Sequence, residues 1–274
     1  MTAPALALAR VTARDQLAQP LTRTVLAVTA ILLFLSSLMP SFTLDGTQGD
    51  LKFLLDVGLA STALCLAVLA VWPAATLLTD ELAQRTAMTV LAKPLSRRDY
   101  LLGRYLGLLG SLAVSAAVLT VLLLLFAWLT EAQVLTAPLE RWLDGIGEDA
   151  PVSALTVAVR WDLAGGVLLG FAQAAVLAAL ALACSTRLPV MATLAACLGI
   201  YLLGHVAGTL PSGPLAWGLR LLLPDLELYD LSEAAARGMP IPATYAAGGL
   251  LYASLYAAAA MALAVRLFER REIV

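Results

Sequence analysis

The residues of this chain whose types and spacing could do chemistry are concentrated in one stretch, residues 80–103, which reads DELAQRTAMTVLAKPLSRRDYLLG. It opens on the acid pair Asp80 and Glu81, passes through Arg85 and Thr86 to Leu91, and closes on Pro94, Ser96, Arg97, Arg98 and Gly103. The chemistry on offer is ionic docking, because carboxylates and guanidinium groups can hold an acidic partner surface or lipid phosphates. Catalytic sets are missing from the sequence. No G-x-x-x-x-G-K-[ST] loop occurs to cradle phosphates, so any ATP must be hydrolysed elsewhere. The only histidine, His205, falls in an apolar run, which leaves no Ser-His-Asp set and no His-Cys-acid cluster for a catalytic metal. The chain is therefore expected to be no enzyme and to hold no cofactor of its own.

Two further polar residues stand out by their surroundings. His205 and Gln173 both lie inside long apolar runs. A polar side chain is costly in such a place, so each is a candidate either for a transport pathway or for polar packing against a neighbouring helix. Cys65, Cys184 and Cys197 also sit in apolar runs, without paired ligand spacing, and read as small buried hydrophobes rather than disulfides or metal ligands.

The elements that must position these residues follow from composition. Of 274 residues, 61% are apolar and 13% charged, and mean hydropathy is +0.89. Soluble domains carry roughly 25% charged residues. Six stretches contain no Asp, Glu, Lys or Arg at all: residues 24–44, 57–79, 105–130, 163–186, 188–219 and 238–265. Each reaches the roughly 20 residues a helix needs to cross the hydrocarbon core. Helices satisfy their own backbone hydrogen bonds, and the alternating ten-residue segments of a membrane barrel are not visible. The expected fold is an all-α polytopic membrane protein, a single transmembrane domain over 1–274 with spans near 24–41, 57–79, 104–129, 163–185, 188–209 and 243–266.

Orientation follows from the cations. With the N-terminus inside, twelve of the seventeen Lys and Arg fall on the cytoplasmic side and thirteen of the nineteen acids outside, as the positive-inside rule requires of the cations. Trp128, Trp142, Trp161 and Trp217 fall near the outer boundary, with Trp72 the exception. Both termini are expected in the cytoplasm and the chain in a bacterial inner membrane, in contact with lipid and with no nucleic acid partner.

Shorter elements are also expected. Leu6, Ala9, Ala13 and Leu17 form one helical stripe with Arg10 and Arg14 turned away, which suggests a helix on the inner membrane surface, ended by Pro20. Pro138 and Gly145 can bracket a short external helix, and the leucine-rich residues 211–242 suggest a pair of short helices dipping toward the membrane before the last span. Gly103 with Gly107, Gly166 with Gly170 and Gly204 with Gly208 have the spacing of close helix packing inside the chain. The Trp72-Pro73 step can kink the second span.

The 80–103 stretch lies between the second and third spans, on the cytoplasmic side. A loop that merely joined two helices needs about five residues. Helix is expected through Ala92, a break at Lys93 before Pro94, and a new helix with Ser96 as N-cap and Asp99 at its third position. Arg97 and Arg98 then sit in the first turn, where the helix dipole disfavours cations, so capping or charge contacts must offset their placement.

With Glu81, Thr86, Leu91, Pro94, Ser96, Arg97, Leu102, Gly103 and Arg104 in this order, the stretch resembles the ABC-type exporter permeases of the second permease family. Arg85 stands where many members have Gly, and Arg104 where Lys is usual. The resemblance implies a coupling helix that docks on a separate cytoplasmic ATPase, two permease halves forming the pathway as a homodimer, and ATP with Mg bound on the partner. It also implies an exporter. A secondary transporter or channel would normally need ionisable residues at mid-membrane, and His205 alone qualifies. A membrane scaffold for another complex is the remaining alternative.

Overall fold

The computed structural model describes residues 3–38, 47–83, 96–143, 155–206, 223–230 and 242–270. Side chains are described from 5 to 38, 53 to 77, 96 to 130, 163 to 206, 223 to 230 and 242 to 270. Among the described residues seven helices follow one another: α1 (Ala3–Ala18), α2 (Pro20–Ser37), α3 (Thr47–Ala83), α4 (Arg97–Leu143), α5 (Leu155–Ser185), α6 (Val190–Val206) and α7 (Ala243–Glu269), with one 3-10 turn at Glu227–Tyr229. No strand occurs among the described residues. Prolines punctuate the chain where their fixed geometry predicts. Gln19 is extended and Pro20 occupies the first turn of α2, while Pro242 caps α7 in extended geometry. Pro73 lies inside α3 without ending it.

Among the described residues five helices are long and apolar enough to cross a membrane: Pro20–Ser37, Phe53–Leu77, Arg97–Thr130, Leu163–Ser185 and Ala243–Glu269. Those five helices are the architecture of an α-helical integral membrane protein. The remaining expected span, 188–209, corresponds to α6, which has 17 residues. At 1.5 Å per residue it is about 25 Å long, short of the roughly 30 Å hydrocarbon core. The end expected for it at 209 lies outside the described residues.

Several helices run beyond their apolar runs. α3 begins at Thr47, within the expected outer connection, and α4 continues to Leu143. Pro138, expected to open a separate external helix, therefore lies in the last turns of α4. Charge marks where a helix leaves the hydrocarbon, and nothing about charge obliges the helix to stop there.

α5 is the central element, packed against α3, α4, α6 and α7, and 72% of its span is buried by protein. Its residues Gly166 and Gly170 accept Leu59 and Ala63 of α3, with room for little more than hydrogen at Gly166. Large apolar side chains such as Ile31, Phe34, Val121, Leu125, Leu202 and Leu255 point outward and lie between 46 and 65% exposed. An outward surface of that kind fits lipid as the solvent.

α1 is held to the bundle by a face that the expected leucine stripe does not name. Its buried face is Ala5, Ala9, Thr12 and Gln16, while Leu6 is half-exposed; Arg10 and Arg14 do face away. The reason is close backbone approach. Gly103, Gly107 and Gly110 of α4 meet Ala5 and Leu8, Ala9 and Thr12, and Ala13 in ascending order, so the two helices run side by side in the same direction. Only small side chains fit that seam. A Cβ on Gly107 would stand 2.5 Å from the Thr12 Cβ and 2.7 Å from the Ala9 carbonyl oxygen. Gly107→Ala should cost about 1–3 kcal/mol, the usual penalty of overpacking, read as a lower unfolding temperature of the protein in detergent. An unchanged transition would mean that α1 is not held at this seam.

Candidate functional site

The first candidate is the end of the bundle where α4 begins and α7 stops. Asp99 N–H donates to the Ser96 Oγ at 3.1 Å, and the Ser96 hydroxyl donates to the Asp99 carboxylate at 2.9 Å. The cap expected from the sequence is formed, and the Asp99 charge lies at the positive end of the helix dipole. The offsetting contacts that Arg97 and Arg98 require come from α7. Arg97 donates to the carbonyl oxygens of Phe268 at 3.4 Å and Glu269 at 3.2 Å, and Arg98 donates to the Glu269 carboxylate at 2.9 Å. Arg187, in the turn between α5 and α6, donates to the Leu267 carbonyl at 3.2 Å.

These bonds complete an account of the α7 terminus. A helix leaves its last four carbonyls without intrahelical donors. The Arg266 carbonyl accepts from the Arg270 N–H, and those of Leu267, Phe268 and Glu269 accept from guanidinium groups on two other elements. Below them the buried Tyr100 ring stacks on Phe268 with centroids 6.0 Å apart. Arg104 lies over Tyr100 at 5.6 Å and donates to the Thr12 hydroxyl of α1 at 2.8 Å. Four parts of the chain, α1, α4, the α5–α6 turn and α7, are thus tied together at one end.

The expected site residues divide accordingly. Ser96, Arg97, Arg98 and Gly103 are brought together here, with Gly103 in the α1 seam. Glu81 belongs to the last turn of α3; its side chain, and Arg85, Thr86, Leu91 and Pro94, lie outside the described residues. Arg187 and Glu269 were not among the expected residues. Their signal was the general one that an α7 ending in carbonyls needs donors, without any indication of which.

No family model matches the chain, and no curated protein matches it.

The second candidate lies at the opposite end. Gln173 of α5 and His205 of α6 meet with nitrogens 3.3 Å apart, and the His205 Nδ1 lies 2.8 Å from the Tyr201 carbonyl oxygen. A carbonyl only accepts, so Nδ1 carries the hydrogen of that bond, and Nε2 meets the Gln173 side-chain amide. The imidazole ring lies 4.4 Å from that of Tyr201. Both sequence candidates are thus brought together as a pair. The segment 223–230 sits above them. Leu226 and Tyr229 are buried, Leu226 N–H donates to the Gly204 carbonyl at 3.2 Å, and the hydroxyls of Tyr229 and Tyr245 donate to the Gly249 and Leu228 carbonyls at 3.4 and 2.7 Å. Burial pushes the Tyr229 phenol above its ordinary value, with Tyr252 and Asp225 adding in the same direction. The hydroxyl stays protonated and donating across ordinary pH. Of the expected pair of short external helices, only the Glu227–Tyr229 turn falls on described residues, with 207–222 and 231–241 outside them.

Among the described residues no group of three or more His, Cys, Asp or Glu could hold a metal ion. Cys184 and Cys197 face one another across the α5–α6 hairpin as free thiols.

Proposed function

We propose that this chain is the membrane-spanning permease subunit of an ATP-driven ABC exporter, with six spans, cytoplasmic termini and a homodimeric assembly bound to separate ATPase subunits. The observation that carries it is the set of arginine contacts from Arg97, Arg98 and Arg187 to the end of α7. A partner pressing on the 80–103 loop would move the start of α4, and these contacts would pass the movement to α7 and to the α5–α6 turn together. The sequence order from Glu81 through Arg104 supports the same reading. ATP and Mg belong to the partner, and this chain contributes mechanical coupling and the membrane path.

The test is purification of the full chain from its native membrane in mild detergent, with identification of what travels with it. A stoichiometric ATPase whose nucleotide turnover changes when the chain is present is the expected result. Substrate movement in proteoliposomes that hold this chain and no ATPase would overturn the proposal in favour of a secondary transporter or channel.

A further inference from the structure

α4, α5 and α7 leave a cavity of about 480 Å³ between them, bounded by Leu102 to Leu109 on α4, Phe171 to Ala175 on α5 and Leu250 to Met261 on α7. All of these positions lie within stretches long and apolar enough to cross a membrane. The cavity opens on the outside of the bundle, since Leu102, Ser254 and Ala258 on its wall are exposed. We propose that it binds one straight acyl chain of a membrane phospholipid, held as a ligand apart from the lipid that merely surrounds the bundle.

The wall decides the chemistry of the occupant. Among the described lining residues none is charged, and only Tyr105 and Ser254 carry hydroxyls. Both are already satisfied within the protein: Tyr105 donates to the Ala175 carbonyl oxygen at 3.2 Å and Ser254 to the Leu251 carbonyl oxygen at 2.8 Å. A sugar, peptide or nucleotide would leave its own polar groups unpaired against such a wall, and that desolvation is not repaid. Hydrocarbon loses nothing there. An empty slot, by contrast, would forfeit the dispersion contacts of its walls.

Size then selects a single chain. Leu250 and Met261 are eleven residues apart on α7, about 16 Å of helix at 1.5 Å per residue. The hydrocarbon of one leaflet is half of the roughly 30 Å core, about 15 Å. At about 30 Å³ for a water-sized group such as a methylene, the cavity of about 480 Å³ holds a chain of about sixteen carbons. A transmembrane helix of a second copy, about 10 Å across, would need more than about 1,000 Å³ over the same length. A stable protein interface also takes about 800 Å² from each partner, far more than one slot provides.

The cavity is built by this chain alone, so the proposal does not rest on the transporter reading. The full chain is reconstituted in vesicles of palmitoyl-oleoyl phosphatidylethanolamine and phosphatidylglycerol with a trace of phosphatidylcholine that carries a photoactivatable diazirine midway along its palmitoyl chain, and adducts are located by mass spectrometry. The stretches Leu102 to Leu109 and Leu250 to Met261 should carry at least about fivefold more adduct than the outward-facing Val121 and Leu202, the ratio that roughly 1 kcal/mol of preference gives. Ser254→Trp, at an exposed wall position, should plug the slot and bring its labelling down to that of Val121, while Leu255→Trp, also exposed and off the wall, should leave it unchanged. Even labelling over all outward-facing positions would reduce the lipid to an unselected annulus and overturn the proposal. So would labelling that survives Ser254→Trp or falls equally in Leu255→Trp. Absent labelling would overturn it too, and a copy-to-copy disulfide through Ser254→Cys would then give the face to a second copy.

Discussion

Under the transporter proposal, the chain carrying Arg97→Ala and Arg98→Ala together should insert, purify and retain the ATPase partner, yet lose at least about tenfold of its effect on ATP turnover, the equivalent of about 1.4 kcal/mol of coupling. Stability should barely change. Arg98 is 70% exposed and its bond to Glu269 belongs to the class of surface pairs worth about 0–1 kcal/mol. The carbonyls that Arg97 releases lie at a helix end where water can replace the guanidinium. Coupling is a different quantity, because water satisfies a carbonyl without transmitting displacement. After the double substitution, among the described residues only Arg187, through Leu267, would still hold the α7 terminus from another element by a charged group. Reconstituted complex compared with wild type at equal occupancy checks this, and Lys at both positions should restore little, since an ammonium cannot span two carbonyls and a carboxylate with a guanidinium's geometry. Unchanged turnover in the double variant would reduce the arginine contacts to an ordinary helix cap.

What the sequence made legible is the part set by local rules or by the solvent. Bilayer-length runs without charge leave the backbone no structure but helix, and α2, α3, α4, α5 and α7 fall where those runs lie. Ser96 and Asp99 are three residues apart, and their cap depends on nothing distant. Helix ends were less legible, because α3 and α4 continue past the charges that mark the membrane edge. The face of α1 that meets protein was not legible, because a leucine stripe marks the apolar side of a helix and says nothing of a close backbone approach. Here Gly103 and Gly107 bring the α4 backbone so close that Ala5, Ala9 and Thr12 are the residues that fit. Arg187 with the α7 terminus and Gln173 with His205 are meetings between separate elements, 80 and 32 residues apart in the chain, and no spacing rule reaches across such distances.

The meeting of Gln173 with His205 also allows the two alternatives for these residues, pathway or packing, to be separated. Replacing either residue alone with Leu should cost about 1–3 kcal/mol, because the remaining partner keeps its polar atom in a largely buried place with the bond removed; Gln173 is 3% exposed. Replacing both with Leu should recover most of that loss, since two apolar groups of similar shape leave nothing unsatisfied. The cycle should yield a coupling near the low end of about 0.5–3 kcal/mol, consistent with a 3.3 Å contact and with the modest worth of hydrogen bonds inside membranes. Thermal unfolding of the four proteins in one detergent measures it, and strict additivity would mean that the pair does not interact. The double variant then carries the functional information. It removes the polar pair while keeping the fold, so the effect of the chain on the turnover of the proposed ATPase partner reports on that pair with the stability cost taken out. Full retention of turnover would make Gln173 and His205 a packing device between α5 and α6. Loss of turnover in a double variant of wild-type stability would place them on the pathway.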